Sequence, residues 1–163
     1  FYSIMGDLYH LKDMNAEAYA AYDSALVYKS DNIGALNNYA YYLSLEKKDL
    51  DKAEEMSYRT VKAEPNNATY LDTYAWILFE KGKYAEARIY MDQVIQLASD
   101  QSSVIWEHCG DIYYKCGETQ KALEFWQKAE KGAGEATDEN DKRKPEELKL
   151  LKKKIKYQKY FVE

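Results

Sequence analysis

A small residue recurs along this chain at a nearly constant interval. Gly6, Ala40, Ala75 and Gly110 are spaced 34, 35 and 35 residues apart. A second column, Ala18, Ala53, Ala87 and Ala122, is spaced 35, 34 and 35. A unit of this length is one supersecondary element that cannot bury its apolar face alone, so its copies must stack. Further columns keep the same period. A large residue stands four before each first-column position, at Tyr2, Leu36, Leu71 and Trp106, and another three after it, at Tyr9, Leu43, Leu78 and Tyr113. Four after the second column come Tyr22, Met91 and Trp126, with Ser57 the exception. Three further on come the compact Ala25, Thr60, Val94 and Ala129.

Spacings of three and four put side chains on one face of a helix. Each repeat is therefore predicted as two antiparallel amphipathic helices, A and B. The small residue lets them approach, and the large ones fill the space beside the contact. The expected pairs are 1–12 with 15–29, 33–46 with 50–63, 68–80 with 84–97, and 102–115 with 119–131. Gly82 and Gly117 suit the left-handed position that ends helix A. Asp13 takes that place in the first copy and Lys47-Lys48-Asp49 in the second, while Pro65-Asn66-Asn67 marks a break. Composition agrees. Two prolines and seven glycines in 163 residues leave few breaks, and 46% apolar residues can supply a full core.

These columns resemble the tetratricopeptide repeat, a 34-residue helix–turn–helix with the pattern W-x2-L-G-x2-Y, A-x3-F, P. Trp106-Cys109-Gly110-Tyr113 with Ala122-Trp126-Ala129 matches closely. Leu36-Tyr39-Ala40-Leu43 and Leu71-Tyr74-Ala75-Leu78 match with substitutions, as do Tyr2-Met5-Gly6-Tyr9 and Ala18-Tyr22-Ala25. The closing proline is present as Pro65, with Ser30 and Ser99 in its place elsewhere. The resemblance implies an all-α fold, a right-handed superhelical solenoid of antiparallel helix pairs, over residues 1–131, with repeats at about 1–32, 33–67, 68–102 and 103–131. The stretches ALNNYAYYLSLEKKDLDKAEEMS and TYLDTYAWIL are also similar to bacterial multi-repeat proteins of the gut Bacteroidetes type, which implies an exported or lipid-anchored location. The chain opens FYSIMGDLYH, without an initiator Met or signal-peptide core, and reads as a segment of a longer or processed protein.

Residues 132–144 lack large apolar side chains and are expected as a flexible linker. Residues 145–163 are expected as a C-terminal capping helix, opened by Pro145 and lined by Leu148, Leu151, Ile155 and Val162. This end is basic. Lys142 to Tyr160 holds nine Lys or Arg and two Glu, a net of +7, and the whole chain is −5, so the rest carries −12. A solvated lysine face and an anionic partner are both open readings; the acidic body argues against nucleic acid.

No phosphate loop, nucleophile elbow or C-x-x-C occurs. His10 and His108 each lie three residues from an aspartate, Asp7 and Asp111, but two ligands from one helix do not close a metal site. No cofactor, metal site or catalytic residue is expected. Cys109 and Cys116, seven residues apart on one helix, would be separated by about 10 Å, too far for a disulfide.

The remaining candidate is the concave face, which the resemblance assigns to helix A of each repeat. The positions beside the core columns select Asp7 and His10, then Asn37, Tyr41 and Ser44, then Thr69, Asp72, Trp76 and Phe79, then Glu107, Asp111 and Tyr114. Tyr41, Trp76, Phe79 and Tyr114 are expected as an aromatic strip, with Asp7, Asp72, Glu107 and Asp111 as a carboxylate rim. Aromatic anchors with a polar rim suit a peptide, here one carrying Lys or Arg beside apolar residues. For Trp76 the alternative is packing between adjacent repeats. Family members that clamp a C-terminal carboxylate use paired Lys, Arg and Asn. The comparable positions here carry Ser3, Asp7, Asn38 and Thr73, which departs from that pattern. The expected function is a non-enzymatic scaffold for a protein or peptide. The alternatives are a spacer or self-association module, suited by Phe1, Tyr2 and Ile4, and an enzyme or enzyme subunit.

Overall fold

Short polar residues start several of the helices. Asn32, Asn67 and Ser102 are extended, and their side chains accept a hydrogen bond from the N–H three residues on, at Ala35 (3.2 Å), Tyr70 (3.2 Å) and Ile105 (3.3 Å). Each satisfies an amide that the first turn would leave without a partner. The structure, a computed structural model, describes residues 1–29, 32–97, 100–137 and 142–162. Among these are nine helices: α1 (Tyr2–Leu11), α2 (Asn15–Tyr28), α3 (Ile33–Glu46), α4 (Leu50–Ala63), α5 (Ala68–Glu80), α6 (Tyr84–Leu97), α7 (Ser103–Lys115), α8 (Thr119–Glu135) and α9 (Pro145–Tyr157). The chain is all-α and built of repeated helix pairs. Ser30 and Ser99 lie outside the described residues, as do positions 138–141 of the expected linker.

The turns follow the chemistry of their residues. Gly82 and Gly117 have φ of +80° and +86°, and Asp13 and Lys47 hold the same left-handed position at +57° and +55°. The first-column glycines have a different cause. A Cβ on Gly6 would lie 2.6 Å from the Tyr22 ring, and Gly110 stands against the Trp126 ring in the same way. The small residue of helix A is therefore set by the large one of helix B.

The chain forms two compact units, Phe1–Lys81 and Gly82–Glu163. In the N-terminal unit α1 packs on α2, α3 on α4, and α3 also meets α1, α2 and α5. Its core holds Ala18, Tyr22, Leu36, Ala40, Leu43 and Met56, all from the repeating columns or beside them. In the C-terminal unit α7 packs on α6 and α8, and α9 lies on α8. Met91, Val94, Trp106, Ile112, Trp126 and Leu151 are buried there.

Two expectations need correction. Helix α8 runs to Glu135, so residues 132–135 are helical and the expected linker starts too early. Gly132 lies close to Ser103 at the start of α7. Helix α9 ends at Tyr157, with Gln158 in the left-handed conformation, so residues 159–162 lie beyond the capping helix. Cys109 and Cys116 are free thiols.

Candidate functional site

In the N-terminal unit the helix A side chains gather around Asp7. Its carboxylate accepts a hydrogen bond from the Tyr22 hydroxyl and one from Asn38 Nδ2 at 3.1 Å. Burial, and then the bond to Asp7, push the Tyr22 hydroxyl far above its ordinary value, so it remains a donor. His10, one turn along α1, stacks on Tyr42 of α3 with ring centres 3.4 Å apart and planes 13° off parallel. Burial and the Asp7 charge raise the pKa of Tyr42. Tyr41 lies beside Tyr42 at 6.1 Å. Asp7, His10, Asn38, Tyr41 and Tyr42 are all half-buried, and Thr69 on α5 is exposed.

Asn37, Ser44, Asp72, Trp76 and Phe79 are buried. Ser44 Oγ donates to its own helix at the Tyr41 carbonyl. Trp76 and Phe79 stack on each other with ring centres 4.5 Å apart and planes 13° off parallel. Offset stacking of this kind is a packing arrangement. Of the expected aromatic strip, Trp76 and Phe79 are buried and Tyr41 pairs with Tyr42 in the N-terminal unit, and in the C-terminal unit Tyr114 tilts against Trp126 at 5.9 Å.

In the C-terminal unit Glu107 and Asp111 are also buried, the latter 2% exposed. Helix α9 and its approach supply their partners. Lys154 Nζ donates to Glu107 Oε2 at 2.6 Å and to both Asp111 oxygens at 2.8 and 3.0 Å. Arg143 donates to Glu107 Oε1 at 2.5 Å, to Glu147 at 2.8 Å and to Ser103 Oγ at 2.8 Å. Trp126 Nε1 completes the cluster with a 3.0 Å bond to Asp111. Burial alone would push Glu107 up, but Lys154 and Arg143 outweigh it and hold the carboxyl below its usual range. Burial keeps Asp111 above its usual range despite Lys154. Burial works against charge on Lys154 too, yet the two carboxylates raise its pKa. Two carboxylates and two cations close this cluster without a ligand. The expected rim is here a seat for the protein's own Lys and Arg.

Arg143 and Lys154 were absent from the expected site. One signal for Lys154 was in the sequence. It stands on the apolar side of α9, beside Leu151 and Ile155, where a solvated lysine would not be placed. Among the described residues no group of three or more His, Cys, Asp or Glu could hold a metal ion, and no helix is long and apolar enough to cross a membrane.

Comparison with known proteins gives one consistent result. The profile of one family, described as Tetratricopeptide repeat, matches residues 43–138. The TPR repeat-containing protein PA4667 of Pseudomonas aeruginosa is 31% identical over 81 residues, covering 50% of this chain but only 13% of that protein's length. Among solved structures, a tetratricopeptide repeat protein from Parabacteroides merdae aligns with a TM-score of 0.73 at 16% identity, over 96% of this chain and 57% of its own. TTC0263, a thermophilic TPR protein of Thermus thermophilus, aligns at 0.71 and 12% identity, over 96% and 79%. The pilF protein of Pseudomonas aeruginosa aligns at 0.68 and 18%, over 96% and 69%.

Proposed function

This chain belongs to the tetratricopeptide repeat family, and on that premise we propose that it is a non-enzymatic scaffold holding a peptide or protein segment against α1 and α3 of the N-terminal unit. One observation carries this reading. The Asp7 carboxylate is fixed by Tyr22 and Asn38 while still half-accessible, beside the His10–Tyr42 stack and Tyr41. An acceptor already oriented costs little further ordering on binding. A ligand Lys or Arg would bond to Asp7, and an apolar neighbour in the ligand would lie on Tyr41. The acid pair Glu107 and Asp111 takes no part, because α9 already occupies it.

The test uses the full chain, a peptide array and two variants. Asp7→Asn keeps an acceptor for Tyr22 and removes the charge; Tyr41→Ala removes the ring. Loss of a charge-assisted hydrogen bond, about 2 kcal/mol, should weaken Lys- or Arg-bearing peptides about thirtyfold in Asp7→Asn. Peptides that bind the parent and both variants alike would refute the assignment.

A second reading, self-association, is favoured by a different observation. Ile4, Leu8 and Leu11 of α1 are exposed at spacings of four and three, with Val27 and Tyr28 of α2 also exposed. Sedimentation velocity on the parent and Leu8→Asp separates the two: a dimer lost in the variant supports self-association, and a monomer in both excludes it.

A further inference from the structure

Helix α9 has two faces, and packing accounts for only one. Leu151 and Lys154 are buried, and Glu147, Leu148 and Ile155 are half-buried beside them. The opposite arc is Lys149, Lys152, Lys153 and Lys156, all exposed, at spacings of three and four. Among the described residues none of these four is paired with a carboxylate, whereas the inward Lys154 has two. Like charges three and four apart on a helix repel one another, so this arc weakens the helix that carries it. A solvated cap needs polar residues there but has no need of one sign. The arc is also edged by apolar groups. Tyr157 is 57% exposed, Val162 is exposed, and Phe161 lies against Tyr157 at 6.0 Å. Lys153 Nζ sits 4.3 Å from the Phe161 ring centre, and Lys156 Nζ sits 5.3 Å from that of Tyr157.

We propose that this outward face of α9 docks on an anionic lipid surface. The occupant is chosen by the arrangement of charge and ring. A protein partner is held by desolvated anchors at the centre of a patch with charge around them. Here the centre is wholly cationic and the apolar groups lie at one end. That arrangement fits a sheet of phosphate headgroups, with lysines on the surface and Tyr157, Phe161 and Val162 dipping below it. Charge elsewhere orients the contact. The stretch from Lys142 to Tyr160 carries nine Lys or Arg and two Glu, net +7, against −5 for the whole chain, so the rest is −12 and is repelled by the same surface. That repulsion decays within a Debye length of about 10 Å. This surface is separate from the peptide site proposed on α1 and α3, so either assignment can fail without the other.

The test is co-sedimentation of the full chain with phosphatidylcholine vesicles, with and without about 30% phosphatidylglycerol, at low and high salt. Binding is expected to the anionic vesicles alone and to fall with salt. Lys149→Gln, Lys152→Gln, Lys153→Gln and Lys156→Gln combined should weaken it about a hundredfold or more, at several-fold per lysine. None of the four touches Glu107 or Asp111, and an unchanged circular dichroism spectrum verifies that α9 stays in place. Tyr157→Ala with Phe161→Ala should remove the part that survives high salt. Equal binding to neutral vesicles, no binding to either, or full binding by the four-lysine variant overturns the proposal. So does tighter binding to polyuridylate or polyglutamate than to the vesicles, which would give the face to nucleic acid or to an acidic protein.

Discussion

Replacing Lys154 by Met should release α9 from the body of the C-terminal unit. Lys154 is 2% exposed, and its ammonium makes three bonds of 2.6 to 3.0 Å to two buried carboxylates. Removing one partner of such a group leaves charge buried without compensation, at a cost of about 3–5 kcal/mol. Arg143 still neutralises part of Glu107, but Asp111 loses the ammonium bonded to it. The loss has a ceiling, because α9 can lift away and let water reach both carboxylates. Lifting exposes Leu151, now fully buried, at about 2 kcal/mol, together with the half-buried Leu148 and Ile155. The damage should therefore be local. Hydrogen exchange across α9 should accelerate about a hundredfold or more, at tenfold per 1.4 kcal/mol, while α1–α5 keep their protection. Adding Asp111→Asn should recover part of the loss. The amide still accepts from Trp126 Nε1 but carries no charge to strand. A Lys154→Met effect below about 1 kcal/mol, or a double variant as damaged as the sum of the singles, would refute a closed and coupled cluster.

Three further outcomes are expected. Ser57 fills a core position where the other repeats carry Tyr22, Met91 and Trp126, and its buried hydroxyl has no hydrogen-bond partner among the described residues. Ser57→Ala should thus raise stability by about 1 kcal/mol in urea denaturation, and a loss of similar size would mean that the hydroxyl is satisfied. Gly6→Ala should cost about 1–3 kcal/mol in the same assay, because the new methyl meets the fully buried Tyr22 ring, and pairing it with Tyr22→Leu should restore most of that. The α9 cluster should also set a pH window. Lys154, whose pKa is raised above 10.5, contributes fully below that value, and its contribution is lost only as pH climbs through the raised one. Glu107, whose pKa is depressed below 4.5, contributes fully above that value and fails as pH falls through the depressed one. Asp111 acts oppositely, since burial raises its pKa and proton uptake as pH falls through the raised value favours the folded form. Urea midpoints against pH should lose their acid gain in Asp111→Asn and their acid loss in Glu107→Gln.

The helix pairs were legible in the sequence because their causes are local or periodic. Gly6 and Gly110 mark where helix A meets Tyr22 and Trp126 of helix B, and the recurring small residue made both positions visible in the sequence. Asp13, Lys47, Gly82 and Gly117 end helices in the left-handed conformation, a property of a single residue and its turn. The extension of α8 to Glu135 was not legible. Gly132 and Gly134 read as a loop by propensity, whereas the structure keeps both helical, with Gly132 beside Ser103.

The candidate site divides in the same way. Which side chains leave the repeating core stripe follows from a spacing of three and four, so Asp7, Tyr41, Glu107 and Asp111 could all be selected. What then lies on top of them is decided by residues far along the chain. Asp7 is held by Tyr22 and Asn38, 15 and 31 positions away, and stays half-open. Glu107 and Asp111 are covered by Arg143 and Lys154, at separations of 36 to 47. Periodicity determines which way a side chain points from its own helix axis. Whether water or a buried cation waits there depends on where the other helices come to rest, and that was left to the tertiary structure.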